Sequence, residues 1–430
     1  MNHQSKEGAA WRALFLSFLL IAVGIPKLII HLEIWQWNLT LCIFSFLSAA
    51  VAIIIDTRLN THYLSGFLKV LAIYTLVFIL FEVFYGTSQT GYKVLNTFNL
   101  LTVYSFVMFS LPINYMLRKK YISLEEVLLA VSVCTGASLL VRFSLSIVES
   151  STGIALCPDI SLESAAKGWI RNGIVRINPP SLSVLVVGIC MYWVLYETNH
   201  KILFGSLLLL QIIYTNFIHA ARSTFLVSVV AIIVLLVFNT RKTKSNYLMI
   251  SLFGLLLCLA ILYEPVFNSF QSFLGSFSAT GSSELAGSTV ARLNGLEYFS
   301  SLYLKTNPYL GFGALGYQEQ IALSGGYTFD DLGTFRVVFQ FGLPGIVFYL
   351  LIYGRVVQAC CLARTCNYRH IRELGQLILG CLIVVVMSSV NIDLFYLYAA
   401  SAPILIAISD FVIFKARNSD SNISIIDRNL

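Results

Sequence analysis

HAARSTFLVSVVAIIVLLVF, residues 219–238, decides the fold class. After Arg222 the stretch carries no charge, and from Phe225 onward only Ser228 interrupts its apolar character. A strand of a membrane barrel alternates apolar and polar positions in short segments. A continuous run of this kind crosses the hydrocarbon layer as a helix.

Working outward from it, similar runs recur along the whole chain. Spans are expected near 13–30, 39–55, 68–85, 97–116, 124–148, 181–197, 201–218, 223–238, 247–264, 337–354, 376–391 and 394–414. Of 430 residues, 57% are hydrophobic and 11% charged, against about 25% charged in a soluble domain. Mean hydropathy is +0.80. The sequence therefore reads as an all-α, polytopic integral membrane protein with about twelve helices. Lys6 and Arg12 before the first run resemble a signal sequence, but further spans follow, and an uncleaved first helix is expected. No internal repeat or heptad pattern is present.

Three regions follow from this reading. Residues 1–264 hold helices one to nine with an outer loop at 149–180, 265–336 form a large outer loop, and 337–430 hold the last three helices and a polar tail. Charge fixes the expected orientation. With the N-terminus inside, the clusters Arg118-Lys119-Lys120 and Arg241-Lys242-Lys244 and the tail cations Lys415 and Arg417 all fall inside, as the positive-inside rule requires. The cations that remain outside concentrate in 149–180, the turn at 219–222 and the long loop. Arginine there opposes the orientation signal, and an anionic ligand handled on that side is the simplest reason for it.

The nine cysteines show no metal spacing. Those within apolar runs, such as Cys42 and Cys190, read as small hydrophobes. Cys157 falls in a polar outer segment without an obvious partner.

Four blocks hold candidate chemistry. In RNGIVRINPPSLS (171–183), Arg171 and Arg176 precede a helix opened by Pro179-Pro180; a helix entry favours an anion, and headgroup contact is the plainer alternative. In HAARSTF (219–225), Arg222 opens a helix beside Ser223 and Thr224. A lone boundary arginine ordinarily snorkels, but its planar fork also suits phosphate. TVARLNGLEYFSSLYL (289–304) puts Leu293, Leu296, Phe299, Ser300 and Tyr303 near one face, so a helix lying on the membrane surface is expected, with Arg292 on its polar side. The glycines of GFGALGY (311–317) serve tight turns. Finally, Asp330 and Asp331 precede the tenth span, which Arg336 enters; one acid reads as a cap, the other as a base or, for Asp331, as the ion-pair partner of Arg336. Gly342, Pro344 and Gly345 read as a bend or a close-packing site.

The order of these blocks resembles the O-antigen polymerases (Wzy-type) and the related O-antigen ligases of bacterial inner membranes. RNGIVRINPPSLSV is similar to their outer loop before a mid-chain helix, and HAARSTFLVSVVAII to their arginine-opened helix. RLNGLEYFSSLYLKTNPYLGFGALGY resembles the loop helix followed by Pro-x-x-Gly-x-Gly, and DDLGTFRVVFQFGLPGIVFYL the closing block with Gly-x-x-Gly. The resemblance covers residues 170–350.

It implies transfer of a glycan from undecaprenyl diphosphate to an acceptor sugar hydroxyl at the periplasmic face, building O-antigen, capsule or exopolysaccharide, without metal, cofactor, nucleotide sugar or nucleic acid. A chain-length regulator and a flippase are the implied protein partners. Arg222 and Arg292 match the diphosphate-holding positions, Arg171, Arg176 and Arg336 support them, and Asp330 or Asp331 is the implied base. The ligases place a histidine in the closing block; here none lies between His219 and His370, which favours the polymerase. A ligase transferring polymer to lipid A-core, and a flippase or transporter of lipid-linked glycan, remain the alternatives. Membrane glycosyltransferases with an acidic pair in the first outer loop are disfavoured, because HLEIWQWN offers only Glu33.

Overall fold

The computed structural model describes residues 2–30, 33–91, 93–157, 160, 170–171, 173–196, 200–219, 222–238, 284–329, 332–390 and 392–426. The expected span at 247–264, the first part of the long loop (265–283), and Asp330 and Asp331 lie outside the described residues.

Helices make up nearly all of what is described. They are α1 (Asn2–Ala22), α2 (Ile34–Arg58), α3 (Gly66–Thr90), α4 (Val94–Leu101), α5 (Ser110–Arg118), α6 (Leu124–Thr152), α7 (Ser183–Tyr196), α8 (Lys201–Ile213) and α9 (Arg222–Val237). After the undescribed segment come α10 (Glu284–Lys305), α11 (Tyr317–Ser324), α12 (Phe335–Thr365), α13 (Arg369–Ser388), the single turn α14 (Leu394–Leu397) and α15 (Ser401–Ile426). The one sheet is a two-residue hairpin, β1 (Ile170–Arg171) against β2 (Ile174–Val175).

Among the described residues, seven helical segments are long and apolar enough to cross a membrane, and Ser183–Tyr196 and Thr224–Val237 are shorter apolar helices. Most of the described apolar helices overlap the expected spans; α2, α3 and α12 overrun them, α1 ends at Ala22, short of the end of the expected 13–30, and α15 starts at Ser401, inside the expected 394–414. Large apolar side chains such as Ile73 (64% exposed) and Leu350 (65%) face outward, as lipid-facing positions do.

Local chemistry sets the boundaries. Ser123 and Glu126 form a reciprocal capping box at the start of α6. Ser65 caps α3 by accepting from the Leu68 amide. Glu33 is absorbed in the same way, capping α2 together with Gln36.

The centre of the bundle is α7, all of whose residues are buried, packed on α8 and α13. Small residues allow the approach: a Cβ on Gly188 would lie 2.6 Å from the Cys381 amide nitrogen. In hydrocarbon, helices associate through such close packing rather than through a hydrophobic drive. Away from the long loop, a second tie joins α5, α12 and α15. The buried Asp410 carboxylate takes Arg118 Nη2 at 2.6 Å, Asn114 Nδ2 at 3.1 Å and Arg355 Nε at 3.1 Å.

Among the described residues, two spans, besides Lys201–Ile218 with its π-helical last turn, are not continuous α-helices. Between α4 and α5 the backbone tightens to a 3-10 helix over Thr102–Phe109. Gly342, at φ 54° and ψ −136°, breaks α12 just before Pro344. That conformation is open essentially to glycine. The break frees the carbonyls of Phe339 and Gln340, and the amides of Phe312 and Gly313 donate to them, each at 2.8 Å. The Leu343 amide in turn donates to the Tyr309 carbonyl at 2.8 Å. Non-helical backbone within a span is tolerated only where protein satisfies it, and here the glycine turn does so.

Candidate functional site

The described part of the long loop is folded onto the bundle rather than free of it. Leu296, Phe299 and Tyr303 of α10 pack with Phe312, Phe329 and Phe339. Of the apolar face expected to meet the membrane surface, Leu296, Phe299 and Tyr303 pack against the start of α12 and the loop itself, while Leu293 is exposed. Arg292 stands seven residues before Phe299, so it continues the same stripe by two turns. It is half-buried and faces the side of the folded loop, not the opposite polar side.

The start of α12 is held by the same turn. Arg336 Nε donates to Gln340 Oε1 at 3.3 Å. The Gln340 amide nitrogen donates to the Leu315 carbonyl at 3.0 Å. The glycine turn thus positions Gln340, which orients Arg336. Tyr85 of α3 clamps the turn from below, donating its hydroxyl to the Gly311 carbonyl at 2.9 Å.

Within electrostatic reach of Arg336 lies Asp393, in the connection between α13 and α15. It is 1% exposed. Its Oδ1 accepts from the Phe395 amide at 3.3 Å, capping α14, and from the Tyr349 hydroxyl. Its Oδ2 is buried without a hydrogen-bond partner. Burial raises its pKa above the usual aspartate range, while Arg336 and the Tyr349 hydrogen bond act in the opposite direction. Tyr104 lies within electrostatic reach of both Asp393 and Arg336.

Residues 389–401 connect this pair to the other arginine blocks. The Ser389 carbonyl accepts from Thr334, two residues before Arg336. The buried Tyr398 hydroxyl lies next to Thr224, in the first turn of α9, without meeting hydrogen-bond geometry. The Ala400 amide and Ser401 hydroxyl bond Ser181 at 3.2 and 2.6 Å, at the end of the 171–183 block. That block also touches the turn preceding α9: Arg176 Nε donates to the His219 carbonyl at 2.7 Å, and the Tyr214 hydroxyl to the Ile177 carbonyl at 2.9 Å. Tyr214–Ile218 is a π-helical turn, a local form frequent at functional sites.

The structure therefore brings three of the expected blocks onto one connection at one end of the bundle. Arg171 lies in β1 and Arg222 opens α9; their side chains lie outside the described atoms. Arg142 has a different role. It is buried in α6 and donates to the Asn178 carbonyl at 2.7 Å and the Ser138 hydroxyl at 3.3 Å, which fixes the 171–183 block in place. Cys157 is buried, its thiol directed at the Lys27 carbonyl.

Asp393 and the 389–401 connection are absent from the sequence reading. The signal was an acid inside a short apolar connection, NIDLFYLYAAS. Chemically, the site offers a guanidinium fixed by an amide side chain, a buried carboxyl with one open oxygen, and a neighbouring tyrosine. That set can hold an anion and exchange a proton. Among the described residues, no group of three or more His, Cys, Asp or Glu side chains is placed to hold a metal ion. The chain matches no protein-family model and no curated protein sequence.

Proposed function

We propose that this protein polymerises lipid-linked oligosaccharide repeat units at the periplasmic face of a bacterial inner membrane, using undecaprenyl diphosphate as leaving group. The observation that carries the reading is that three of the arginine blocks meet residues 389–401, where Asp393 lies within electrostatic reach of Arg336.

In this reading the acceptor hydroxyl loses its proton to a carboxylate as its oxygen attacks the donor's anomeric carbon. The bond from that carbon to the diphosphate oxygen breaks, and the electron pair leaves on the diphosphate. Preorganised guanidiniums stabilise that charge better than water does, and arginine offers the bidentate geometry that phosphate takes. Arg336 and Arg292 are the arginines on the folded loop; Arg222, Arg171 and Arg176 belong to the blocks joined to it. Asp393 joins Asp330 and Asp331 as a candidate base.

The breaks in α12 and in the α4–α5 span favour a second reading, transport of the lipid-linked glycan, because discontinuous helices are common around transporter substrate sites. The ladder of surface polysaccharide from cells lacking the protein separates the readings. Polymerase function predicts that long chains collapse to a single repeat on the final acceptor. Long polymer stranded on the lipid carrier would identify a ligase, and loss of all surface glycan would favour transport.

A further inference from the structure

Glu82 of α3 is a buried acid that the proposed reaction does not use. It is 0% exposed, and neither carboxyl oxygen has a hydrogen-bond partner. It lies one helical turn before Gly86, on the same side of α3. A Cβ on Gly86 would come within 3.2 Å of the Ala314 amide nitrogen, and one on Gly313 within 2.9 Å of the Gly86 Cα. The glycine turn is thus seated on α3 one turn above Glu82.

Among the described residues, the surroundings provide no counter-charge in contact with it. Tyr74 and Tyr85 share its helix, and their hydroxyls donate to the Pro344 and Gly311 carbonyls, each at 2.9 Å. Tyr104 comes from the 3-10 segment, with Arg336 and Asp393 also within its reach. One turn on, beside Gly86, α4 supplies Thr97, and its N-cap Lys93 is exposed. From α12 come Phe341, edge-on to Phe78 one turn below, and Phe348, stacked on it. The titratable groups of α5, Tyr115 and Arg118, lie at the far end near Tyr63 and Asp56.

Burying an unpaired charge is among the costliest events in a protein, and the group neutralises instead. We infer that Glu82 is a proton-binding site whose occupancy is linked to the docking of the 307–314 turn. With the turn seated, Glu82 is a carboxylic acid. Lifting the turn admits water, the O–H bond of the acid breaks, the proton goes to water, and the hydrated carboxylate resists reburial. Docking is then most favourable at acid pH. It weakens as pH rises above the ordinary glutamate value of about 4.3, by about tenfold in the opening equilibrium per pH unit, until the docked group itself ionises. Because the turn positions Gln340 and Arg336, the site at this end of the bundle would respond to the pH it faces. The inference is independent of what the site binds.

Amide hydrogen exchange of residues 308–316 tests it, since the Phe312 and Gly313 amides exchange only when the turn lifts. The protein is placed in lipid nanodiscs, and wild type is compared with Glu82→Gln at each pH, so that intrinsic exchange cancels. The two should nearly agree at about pH 4 and diverge toward about pH 8, with wild type faster by a factor approaching tenfold per pH unit. Equal rates at every pH would overturn the inference. Should the glutamine variant not fold, wild type alone decides: exchange of 308–316 relative to residues 184–195 of α7 in the same sample must rise with pH, and a constant ratio refutes the linkage.

Discussion

Thr334 donates its backbone amide and its hydroxyl to the same acceptor, the Ser389 carbonyl, at 2.7 and 3.0 Å. These two hydrogen bonds tie the start of α12 to the connection that carries Asp393, and so hold Arg336 within electrostatic reach of that acid. Thr334→Val keeps the shape and the backbone bond but removes the hydroxyl. It should cost about 1 kcal/mol, the net worth of one hydrogen bond, and shorten the polysaccharide without abolishing it. Thermal unfolding in detergent and the glycan ladder check both parts.

Gly342 is a sharper structural test. A Cβ there would lie 2.3 Å from the Tyr309 carbonyl oxygen, on a backbone with φ +54°. The backbone penalty alone is about 1–3 kcal/mol, and the clash would displace the glycine turn. Gly342→Ala should therefore lower Tm strongly and abolish long chains. Gly354→Ala, in open space further along α12, should do neither.

At the opposite tie, Asp410 is fully buried between two guanidiniums that are nine-tenths buried. Removing one partner of a buried ion pair costs about 3–5 kcal/mol, whereas replacing the whole group by apolar residues can be neutral. Asp410→Asn should destabilise severely. Asp410→Leu combined with Arg118→Met and Arg355→Met should recover much of the loss, read as yield of monodisperse protein.

Asp393 predicts two opposite pH trends. Its folded pKa is raised by burial, so the folded state holds the proton more tightly than the unfolded chain does. The stability this contributes is complete below the ordinary aspartate range and declines as pH rises toward the folded value. The Tm of wild type minus that of Asp393→Asn should therefore fall with increasing pH. Activity should move the other way, because a base must be ionised. The acid limb of the rate profile should lie above the ordinary carboxylate range, and Asp393→Asn should reduce the rate at least a hundredfold, on the order of a lost general base.

The arginines separate by geometry. Arg292→Ala should abolish polymerisation and leave membrane insertion intact. Arg222→Lys should fail almost as fully, since a point charge does not reproduce a bidentate fork. Wild-type chain lengths in the lysine variant would make Arg222 a headgroup contact.

Much of the architecture was legible because hydrocarbon imposes a simple rule. The run at 227–238 must satisfy its own backbone, and the run at 201–218 falls within a residue of the observed boundaries. The bend at Gly342 was legible from GLPG, but not its partner, because the hydrogen bonds from Phe312 and Gly313 join positions far apart in sequence. The stripe Leu296, Phe299, Tyr303 was read correctly as a face; whether lipid or protein covers a face is not encoded in its period. Arg171, Arg176, Arg222 and Arg292 stood out because cations oppose the orientation rule. Asp393 did not stand out, since acids contribute little to that rule. Its role depends on Tyr349 and Arg336, which arrive from another helix.

The most direct measurement uses purified protein in liposomes with a synthetic undecaprenyl-diphosphate-linked repeat unit as sole glycan, without nucleotide sugar. The account predicts products lengthened by whole repeats, with release of free undecaprenyl diphosphate, and neither with Arg292→Ala. A folded wild-type protein that leaves the repeat unit unextended, or merely moves it across the bilayer, would contradict it.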